Sequence, residues 1–377
     1  MKLSDLKTPA LVLDRARLER NVAAMSRRMK AHGVDLRPHM KTAKSAEVAR
    51  LATAGHSGGI TVSTLAEAAY FVRNGFRDIT YAVGIVPAKL DAVAALQHEG
   101  ARITVMTDNV PVARALAEES SAFDTPLRVL IEVDSGLGRG GVAPEDPALI
   151  EIARALAAGP NVEPVGVLTH AGHAYACSSV AGIEAVAEAE RAAAVAAAGR
   201  LRDAGHRCPV VSVGSTPTAL FGRSFEGVTE ARPGVYMFFD LFQAGLGCCT
   251  ADDIAISVLA SVIGHRPGHG RLLIDAGSLA LSQDRSTRSQ SEDAGYGLVF
   301  EVSGRRRIAD LRVARVNQEH GFVEAAGGAV PFDELPIGAR VRVMPNHACM
   351  TAAAYDRYDV VDGCDEVVAV WDRVNRW

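Results

Sequence analysis

The chain has 377 residues, of which 48% are hydrophobic and 22% charged, and its formal net charge is −4. This composition excludes a disordered or fibrous protein, and 44 acidic against 40 basic residues without a long basic run argue against a nucleic-acid partner. We find neither a signal-peptide core nor an uncharged apolar run of about 18 residues, so we expect a cytoplasmic protein with no membrane partner. Six cysteines without a CxxC pair predict reduced thiols rather than a disulfide framework.

The first two-thirds of the chain alternates short β-branched runs with alanine- and leucine-rich stretches. Apolar residues recur on one helical face over 15–32, and Gly33 supplies the stop. Strands are then predicted at 35–41, 59–63, 78–84, 102–108, 127–134, 164–170, 208–214 and 234–239, mostly separated by helices such as 90–99, 111–119, 147–158 and 180–204. Thr64 and Glu67 predict a capping box at the start of the helix after the second strand.

Eight parallel strands with intervening helices favour a closed (β/α)8 TIM-type barrel over an open doubly wound sheet. After about residue 245 the pattern changes to Val/Ile runs broken by Gly, Pro and charged turns, which indicates a second, mainly antiparallel β domain. Its strands are predicted at 254–263, 271–275, 311–316, 338–344 and 366–371. We therefore place a barrel at 18–245 and a β domain at 246–377, and residues 1–17, with a strand near 10–13, are compatible with either part.

Residues that follow barrel strands are the first candidates for chemistry, because active sites lie where those strands end. Lys41 follows the first strand and is compatible with a solvated lysine or with a lysine that forms a Schiff base. Arg139 lies in a glycine-rich loop, 135–142, whose spacing does not match the dinucleotide fingerprint. His170 and Tyr175 follow the sixth strand, where a histidine is compatible with either a structural or a functional role.

The seventh strand leads into Gly214, Ser215 and Thr216, which resemble a phosphate cradle. Glycine allows close backbone approach, and two hydroxyls with free amides are expected to face outward. Gly234 and Tyr236 come from the adjacent loop. A plain turn is the alternative.

In the β domain, His347 and Cys349 directly follow a predicted strand. Because extended residues two apart point to the same side, an imidazole and a thiolate here are able to share one metal ion. Two protein ligands also leave coordination positions open for a substrate. The alternative is a buried cysteine beside a structural histidine.

Several segments in the same order resemble the D-serine dehydratase and D-threonine aldolase family, which consists of pyridoxal-phosphate enzymes built like alanine racemase. The resemblance spans nearly the whole chain. Its segments are 8–10, 37–42, 62–68, 214–217, 275–277, 318–321 and 346–349.

This resemblance implies a role for each candidate. Lys41 is the lysine that binds pyridoxal 5'-phosphate covalently, and Arg139 lies near the phenolic oxygen of the cofactor. The phosphate is held by Gly214, Ser215 and Thr216 with help from Gly234 and Tyr236, and His170 and Tyr175 lie beside the cofactor ring. His347 and Cys349 bind a divalent metal, with zinc favoured and manganese or magnesium as alternatives. The family also implies a homodimer.

The implied reaction is the dehydration of a small D-3-hydroxy amino acid. Lys41 acts as the base at Cα, and the metal polarises the β-hydroxyl as it leaves, which yields a 2-oxo acid and ammonia. The alternative within the family is aldol cleavage to glycine and an aldehyde. Aldolases of the family typically pair the metal-binding histidine with an aspartate, so Cys349 favours dehydration. An amino-acid racemase would have no use for the metal.

The segment 281–287 is more similar to bacterial D-threo-3-hydroxyaspartate dehydratases than to animal D-serine enzymes. Arg285 or Arg288 is therefore a candidate to pair with a second substrate carboxylate, since guanidinium binds carboxylate in a bidentate way. A solvated arginine is the alternative.

Overall fold

The computed structural model describes residues 1–375 and 377, which form two compact units. One unit contains residues 1–23 and 235–375, and the other contains residues 24–234. The sequence places the boundaries at 17/18 and 245/246 instead; Arg376, inside the predicted β domain, lies outside the described residues. The observed boundaries fall inside the first helix and directly after Gly234.

The chain begins with strand β1 (Ala10–Asp14) and helix α1 (Arg15–Ala31). All five residues of β1 are buried. The helix predicted over 15–32 is confirmed, and Gly33 follows it with a positive φ of 67°, a conformation that glycine adopts without steric cost.

Eight parallel strands follow. They are β2 (Asp35–Leu36), β3 (Ile60–Val62), β4 (Asp78–Gly84), β5 (Arg102–Thr107), β6 (Leu127–Glu132), β7 (Val162–Leu168), β8 (Val210–Val213) and β9 (Glu230–Ala231). Their order in the sheet is β2-β9-β8-β7-β6-β5-β4-β3. A parallel bridge between His39 and Thr61 joins the segment after β2 to β3 and closes the ring. The predicted barrel is therefore confirmed.

Helices of the same unit connect these strands. They are α2 (Ala46–Thr53), α3 (Leu65–Arg73), α4 (Leu90–His98), α5 (Val110–Glu119), α6 (Ala148–Ala157), α7 (Val180–Asp203) and α8 (Thr216–Phe221). At α3, the hydroxyl of Thr64 accepts from the amide of Glu67 as predicted. The Glu67 carboxylate accepts from the amide of Ser63.

The strand predicted at 234–239 is wrong. The eighth barrel strand is the two-residue β9, and Val235–Met237 forms a 3-10 turn after Pro233 and Gly234. Proline has no amide to donate to a ladder, so the strand ends before it. All five residues of 235–239 are buried, which suits their apolar side chains. An apolar run alone does not distinguish a strand from a buried turn.

We call residues 1–23 and 235–375 the β unit. After helix α9 (Leu241–Gly245), this unit consists mainly of strands. They are β10 (Ile256–Arg266), β11 (Arg271–Ile274), β12 (Gly297–Phe300), β13 (Arg307–Val316), β14 (Gly321–Ala325), β15 (Arg340–Pro345), β16 (Arg357–Val361) and β17 (Val367–Asp372). Two short helices interrupt them, α10 (Ser278–Leu281) and α11 (Ala348–Ala352). Strands β12, β14 and β16 were not predicted, because four or five residues flanked by glycine or charged residues show too little alternation.

These strands and β1 form one nine-stranded sheet, in the order β11-β14-β13-β12-β15-β10-β1-β16-β17, and β11 also pairs with β10. Only the pairing of β1 with β16 is parallel among the ladders of this sheet that the structure describes. The N-terminal strand therefore belongs to the β unit. Among the helices of the described residues, none is long and apolar enough to cross a membrane.

Candidate functional site

Lys41 follows β2 at the end of the barrel where the parallel strands terminate, and its side chain is exposed. The backbone amide of Lys41 donates to Nδ1 of His39 at 3.4 Å. The neighbouring lysine differs, because Lys44 Nζ lies 3.3 Å from a carboxylate oxygen of the fully buried Glu67. Within the described part of the chain, Lys41 makes no such ion pair. An exposed and uncommitted amine at a strand end is suited to covalent chemistry.

The imidazole of His170, which follows β7, lies within hydrogen-bonding distance of the barrel loop after β8. Its Nδ1 is 2.6 Å from the carbonyl oxygen of Gly214, which can only accept, so Nδ1 carries the proton. Burial, together with the charges of Lys41, Arg139 and Arg232, lowers the pKa of His170 to about 3, although the hydrogen bond to Gly214 opposes this. His170 is therefore neutral at ordinary pH, with Nε2 as an acceptor.

The same cations act on His39, whose pKa lies well below its usual value because of burial and because of Lys41 and Arg232. The turn at Gly234 approaches this segment closely. A Cβ at Gly234 would lie 2.7 Å from the carbonyl oxygen of His39, so only glycine fits there without a shift. Lys41 and Arg232 therefore lie close enough to His39 to lower its pKa, although the guanidinium of Arg232 is buried and already donates to Ser212 and Thr169.

The Gly214–Thr218 loop does not present the free amides that the sequence predicts. The amide of Gly214 donates to Glu190 Oε1 at 3.1 Å, and the amide of Ser215 donates to the hydroxyl of Thr218 at 3.1 Å. Ser215 Oγ accepts from the amide of Thr218 and so caps α8. Thr216, the first residue of α8, is fully buried. A phosphate grip by Gly214, Ser215 and Thr216 stays a prediction.

Glu190 organises this end of the barrel, and sequence reasoning missed it. Its Oε1 accepts from the amides of Ala171 at 2.8 Å and Gly214, so one carboxylate connects the loops after β7 and β8. The side chain is 2% exposed, and burial raises its pKa while the amides and the Thr218 hydroxyl oppose that rise. The sequence did contain a sign of this role: Glu190 is a charged residue on the buried face of α7, between Ala187 and Ala194.

Arg139 extends from its glycine-rich loop with a side chain that is 57% exposed, and its Nη2 lies 3.5 Å from Glu132 Oε1. Burial raises the pKa of Glu132 and Arg139 opposes that rise. The loop amides are taken by carboxylates: Gly136 and Gly138 donate to Asp134, and Gly141 donates to Asp108. The loop is therefore a support for Arg139 rather than an anion cradle.

The two tyrosines lie in different units. Tyr175 is half-buried in a 3-10 helix, Gly172–Ala176, that follows β7 of the barrel. Tyr236 belongs to the β unit, is fully buried, and has a pKa raised by that burial. Their predicted contacts with a cofactor stay predictions.

In the β unit, His347 and Cys349 lie at the start of α11, directly after β15. His347 is the extended N-cap residue, whereas Cys349 is already helical, so the expectation of two extended residues is wrong. Their side chains nevertheless lie close to each other, since Cys349 is among the groups that raise the pKa of the imidazole. Among the described residues, no group of three or more His, Cys, Asp or Glu side chains is placed to hold a metal ion.

Asp284 and Asp240 hold the His347–Cys349 segment, and neither was singled out from the sequence. His347 Nδ1 lies 2.5 Å from Asp284 Oδ2, and the amide of Ala348 donates to Asp240 Oδ2 at 2.9 Å. Burial lowers the pKa of His347, but Asp284, Cys349 and Asp240 together raise it to about 11. The hydrogen bonds from His347 and Ser286 lower the pKa of Asp284 to about 2.

The donor set fits a divalent metal with two protein ligands. With Nδ1 committed to Asp284, the atoms of the pair that remain for a cation are Nε2 of His347 and the sulfur of Cys349, which are ligand types that zinc binds readily. The barrel fits pyridoxal phosphate, since it offers an exposed amine at Lys41, a largely exposed guanidinium at Arg139 and a neutral imidazole at His170.

Arg285 and Arg288 differ in whether an acidic side chain already pairs with the guanidinium group. Arg285 pairs with Asp293 at 2.5 Å and lies over the ring of Tyr296 at 5.4 Å. Arg288 is exposed. Of the two, Arg288 is the more available to an incoming carboxylate.

Comparison with known proteins identifies two family models along the chain. Residues 13–241 match the model described as "Alanine racemase, N-terminal domain", and residues 255–361 match "Putative serine dehydratase domain". The resemblance inferred from the sequence is confirmed.

Curated relatives cover the whole length. The chain is 45% identical to D-threo-3-hydroxyaspartate dehydratase from Delftia sp., over 100% of this chain and 99% of the relative. It is 29% identical to D-serine dehydratase from Dictyostelium discoideum, over 100% and 98%, and 30% identical to 3-hydroxy-D-aspartate aldolase from Paracoccus denitrificans, over 98% and 92%.

The Delftia enzyme has also been solved. Its structure superposes on this one with a TM-score of 0.96 at 45% identity and covers all of both chains. A cysteine-to-alanine mutant of that dehydratase, described as the metal-free form, superposes equally well, with a TM-score of 0.96 at 44% identity over all of both chains.

Proposed function

Since the chain belongs to the alanine racemase-like family whose members carry a serine dehydratase domain, we propose that it is a pyridoxal-phosphate- and divalent-metal-dependent lyase. Its reaction is the dehydration of a D-3-hydroxy amino acid to a 2-oxo acid and ammonia. D-threo-3-hydroxyaspartate is the first substrate to test, followed by D-serine and D-threonine. The observation that carries this proposal is the placement of His347 and Cys349 together at the start of α11, with Asp284 on the imidazole, in a chain that also has an uncommitted Lys41.

The cofactor and the metal would supply the chemistry that side chains do not: when bound, pyridoxal phosphate withdraws electrons from Cα and the metal polarises a hydroxyl. Lys41 supplies the amine that attaches the cofactor and then the base that takes the Cα proton. Arg139, whose guanidinium lies 3.5 Å from Glu132, supplies a positive charge. His170 is held neutral, so it accepts a hydrogen bond at Nε2 without adding charge.

In the β unit, His347 and Cys349 hold the metal, for which zinc is the first choice and manganese and magnesium are alternatives. The mutant of the Delftia dehydratase described as metal-free lacks a cysteine, which supports a thiolate ligand here. A homodimer, a cytoplasmic location and the absence of nucleic-acid or membrane partners stay predictions.

The test is product analysis by NMR with the cofactor-loaded protein. D-threo-3-hydroxyaspartate, D-serine and D-threonine are supplied separately, with and without a chelator. Ammonia together with a 2-oxo acid, both lost on chelation, is the expected result. Product formation that continues undiminished in chelator contradicts the metal requirement.

Aldol cleavage is the second candidate, favoured by the 30% identity to the Paracoccus aldolase. Its products are glycine with glyoxylate from hydroxyaspartate, or glycine with acetaldehyde from threonine. Their appearance would overturn the use of Cys349 as the residue that favours dehydration.

The choice of substrate is tested by Arg285→Ala and Arg288→Ala. If Arg288 pairs with a second carboxylate, its replacement lowers kcat/KM for hydroxyaspartate by about 10- to 100-fold and leaves D-serine unaffected, because a charge-assisted bond is worth roughly 1.5–3 kcal/mol. An unchanged preference in both variants would remove these arginines from the proposal.

A further inference from the structure

We propose that Asp284 is a positioning residue for the metal-binding pair: it fixes the ring orientation and tautomer of His347 so that Nε2 is the ligand atom. The inference rests on the proposed function, which places a divalent metal on His347 and Cys349. It concerns a residue that binds neither substrate nor metal but determines how one ligand is presented.

The first step is the contact itself. His347 Nδ1 lies 2.5 Å from Asp284 Oδ2, and a carboxylate can only accept, so the proton resides on Nδ1. The lone pair of the neutral ring is then on Nε2. Histidines that bind metals usually donate their other ring nitrogen to a carboxylate or carbonyl group, which fixes the tautomer and strengthens the ligand.

The second step is that both oxygens of Asp284 are already engaged by protein donors. Oδ2 takes the imidazole proton, whereas Oδ1 accepts from both the amide of Ser286, at 2.8 Å, and the hydroxyl of Ser286. The Asp284 side chain is 24% exposed. Both oxygens thus already accept from protein donors, and among the described residues no three such side chains are placed to share a metal ion, which favours an orienting role for Asp284 over a ligand role.

The third step is that Asp284 is itself held in place from two directions. The segment after it is tied to the end of β15, because the amide of Thr287 donates to Asn346 Oδ1 at 3.2 Å and Asn346 Nδ2 donates back to Thr287 Oγ1 at 2.8 Å. Thr287 and Asn346 are each 1% exposed. On the other side, Ser282 adopts a positive φ of 72°, and its hydroxyl accepts from the amide of Asp284.

A positive φ at a serine is unfavourable and persists only where the surroundings impose it. The strained residue lies two positions before the carboxylate that holds His347. Two buried side-chain contacts and one strained residue together restrict Asp284 to the position from which it reaches His347 Nδ1. This arrangement is what a metal ligand needs if its geometry is to be set before the metal binds.

The experiment measures metal affinity directly, in the cofactor-loaded full chain, with Co²⁺ as the probe. Binding is followed by the thiolate-to-cobalt charge-transfer absorbance and by the shift of the unfolding temperature that cobalt produces. The variants are Asp284→Ala and Asp284→Asn. The matched control is Asp293→Asn, which alters a carboxylate nine residues away that pairs with Arg285 instead.

Asp284→Ala is expected to weaken cobalt affinity by about 10- to 100-fold, the usual cost of removing such a partner. Asp284→Asn should weaken it by a smaller factor, because an amide oxygen still accepts from Nδ1 but carries no charge. Asp293→Asn should change it less than twofold. An Asp284→Ala protein that binds cobalt within twofold of the wild type would overturn the inference.

A role in local folding alone gives a different result. In that case the variants unfold at a lower temperature without metal, yet keep the same cobalt-induced shift and the same affinity. If Asp284→Ala does not fold, Asp284→Ser decides, because its hydroxyl is too short to reach His347 Nδ1, and an affinity within twofold of the wild type refutes the positioning role. If the wild type shows no charge-transfer band that Cys349→Ala abolishes, the metal assignment in the proposed function fails instead.

Discussion

Two loops of this protein, Gly214–Thr218 in the barrel unit and Asn346–Cys349 in the β unit, are built alike and used differently. Each follows a strand and opens a short helix, and each is held by carboxylates. In the barrel, Glu190 accepts from backbone amides of two loops. In the β unit, Asp240 accepts from one backbone amide, and Asp284 accepts from the side chain of His347.

The difference follows from what each loop is proposed to hold. A phosphate group is recognised by donors and positive charge that a rigid backbone can place, so fixing the main chain is sufficient. A metal ion is bound by lone pairs on particular side-chain atoms, so the side chain must be fixed as well. If this comparison is right, the two loops can be disabled separately.

The largest expected effect is that of Lys41→Ala. Activity should fall by about 10³-fold or more, because the variant loses both the attachment amine and the base, while metal binding stays unchanged. Borohydride reduction followed by mass spectrometry should add the cofactor mass to the peptide that contains Lys41 in the wild type only.

Lys44→Ala is the control, since the ion pair of Lys44 with Glu67 makes it a structural residue. This variant should keep the modified peptide. Reduced cofactor on any other lysine of the wild type would contradict the assignment of Lys41.

The second-largest effect is expected for Cys349→Ala, which should lose metal binding and keep cofactor attachment. Metal content and activity should be lost, the latter by about 10³-fold since Lewis-acid stabilisation is worth several kcal/mol, whereas cofactor attachment persists. Metal analysis and the reduction assay together measure both properties. The control is Cys248→Ala in the same unit, because burial raises the pKa of the Cys248 thiol to about 12 and disfavours a thiolate. Equal metal loss in both variants would count against the Cys349 site.

The third-largest effect is expected for replacement of Glu190, which tests whether the Gly214–Thr218 loop depends on its carboxylate. Glu190→Ala leaves two buried amides without an acceptor, which should lower the free energy of unfolding by about 2–4 kcal/mol and weaken cofactor binding. Glu190→Gln keeps one acceptor oxygen and should lose about 1 kcal/mol. Denaturant unfolding and cofactor titration measure these effects. Unaltered cofactor affinity in a folded Glu190→Ala protein would show that the loop needs no such anchor.

The smallest effect concerns pH. The folded pKa of His170 is about 3, below the value of roughly 6.5 in an unfolded chain, so the unfolded state binds more protons between these pH values. Stability is therefore lost as the pH falls through this window. In cofactor-free protein, His170→Asn should reduce the loss between pH 7 and pH 5 by up to about 2 kcal/mol. Denaturant unfolding at both pH values measures this, and identical losses would show that His170 does not titrate in that way.

Sequence reasoning located the groups that follow strands but not the groups that hold them. Lys41, His347 and Cys349 were found because a strand end or a two-residue spacing is visible locally. Their supports are distant in the chain: Asp284 is 63 residues from His347, and Asp240 is 108 residues from Ala348. No local pattern encodes such pairings.

The fold likewise contains elements that the local sequence reveals and elements that it does not. The barrel was predictable because each parallel strand pairs with a neighbour in the strand–helix repeat. The strand predicted at 234–239 failed because an apolar buried turn reads like a strand. In the β unit, β12, β14 and β16 are only four or five residues long, so their alternation was too short to be recognised.

The placement of β1 has a consequence for synthesis on the ribosome. Leu13 pairs with Ile256 and Val360, so the first strand of the chain lies between partners made more than 240 residues later. At roughly 5–20 residues per second, β1 waits about 12–50 s for its first neighbour. The barrel, residues 24–234, is contiguous and emerges complete during that interval. During translation, β1 therefore remains an unpaired apolar segment exposed to chaperones and to other nascent chains.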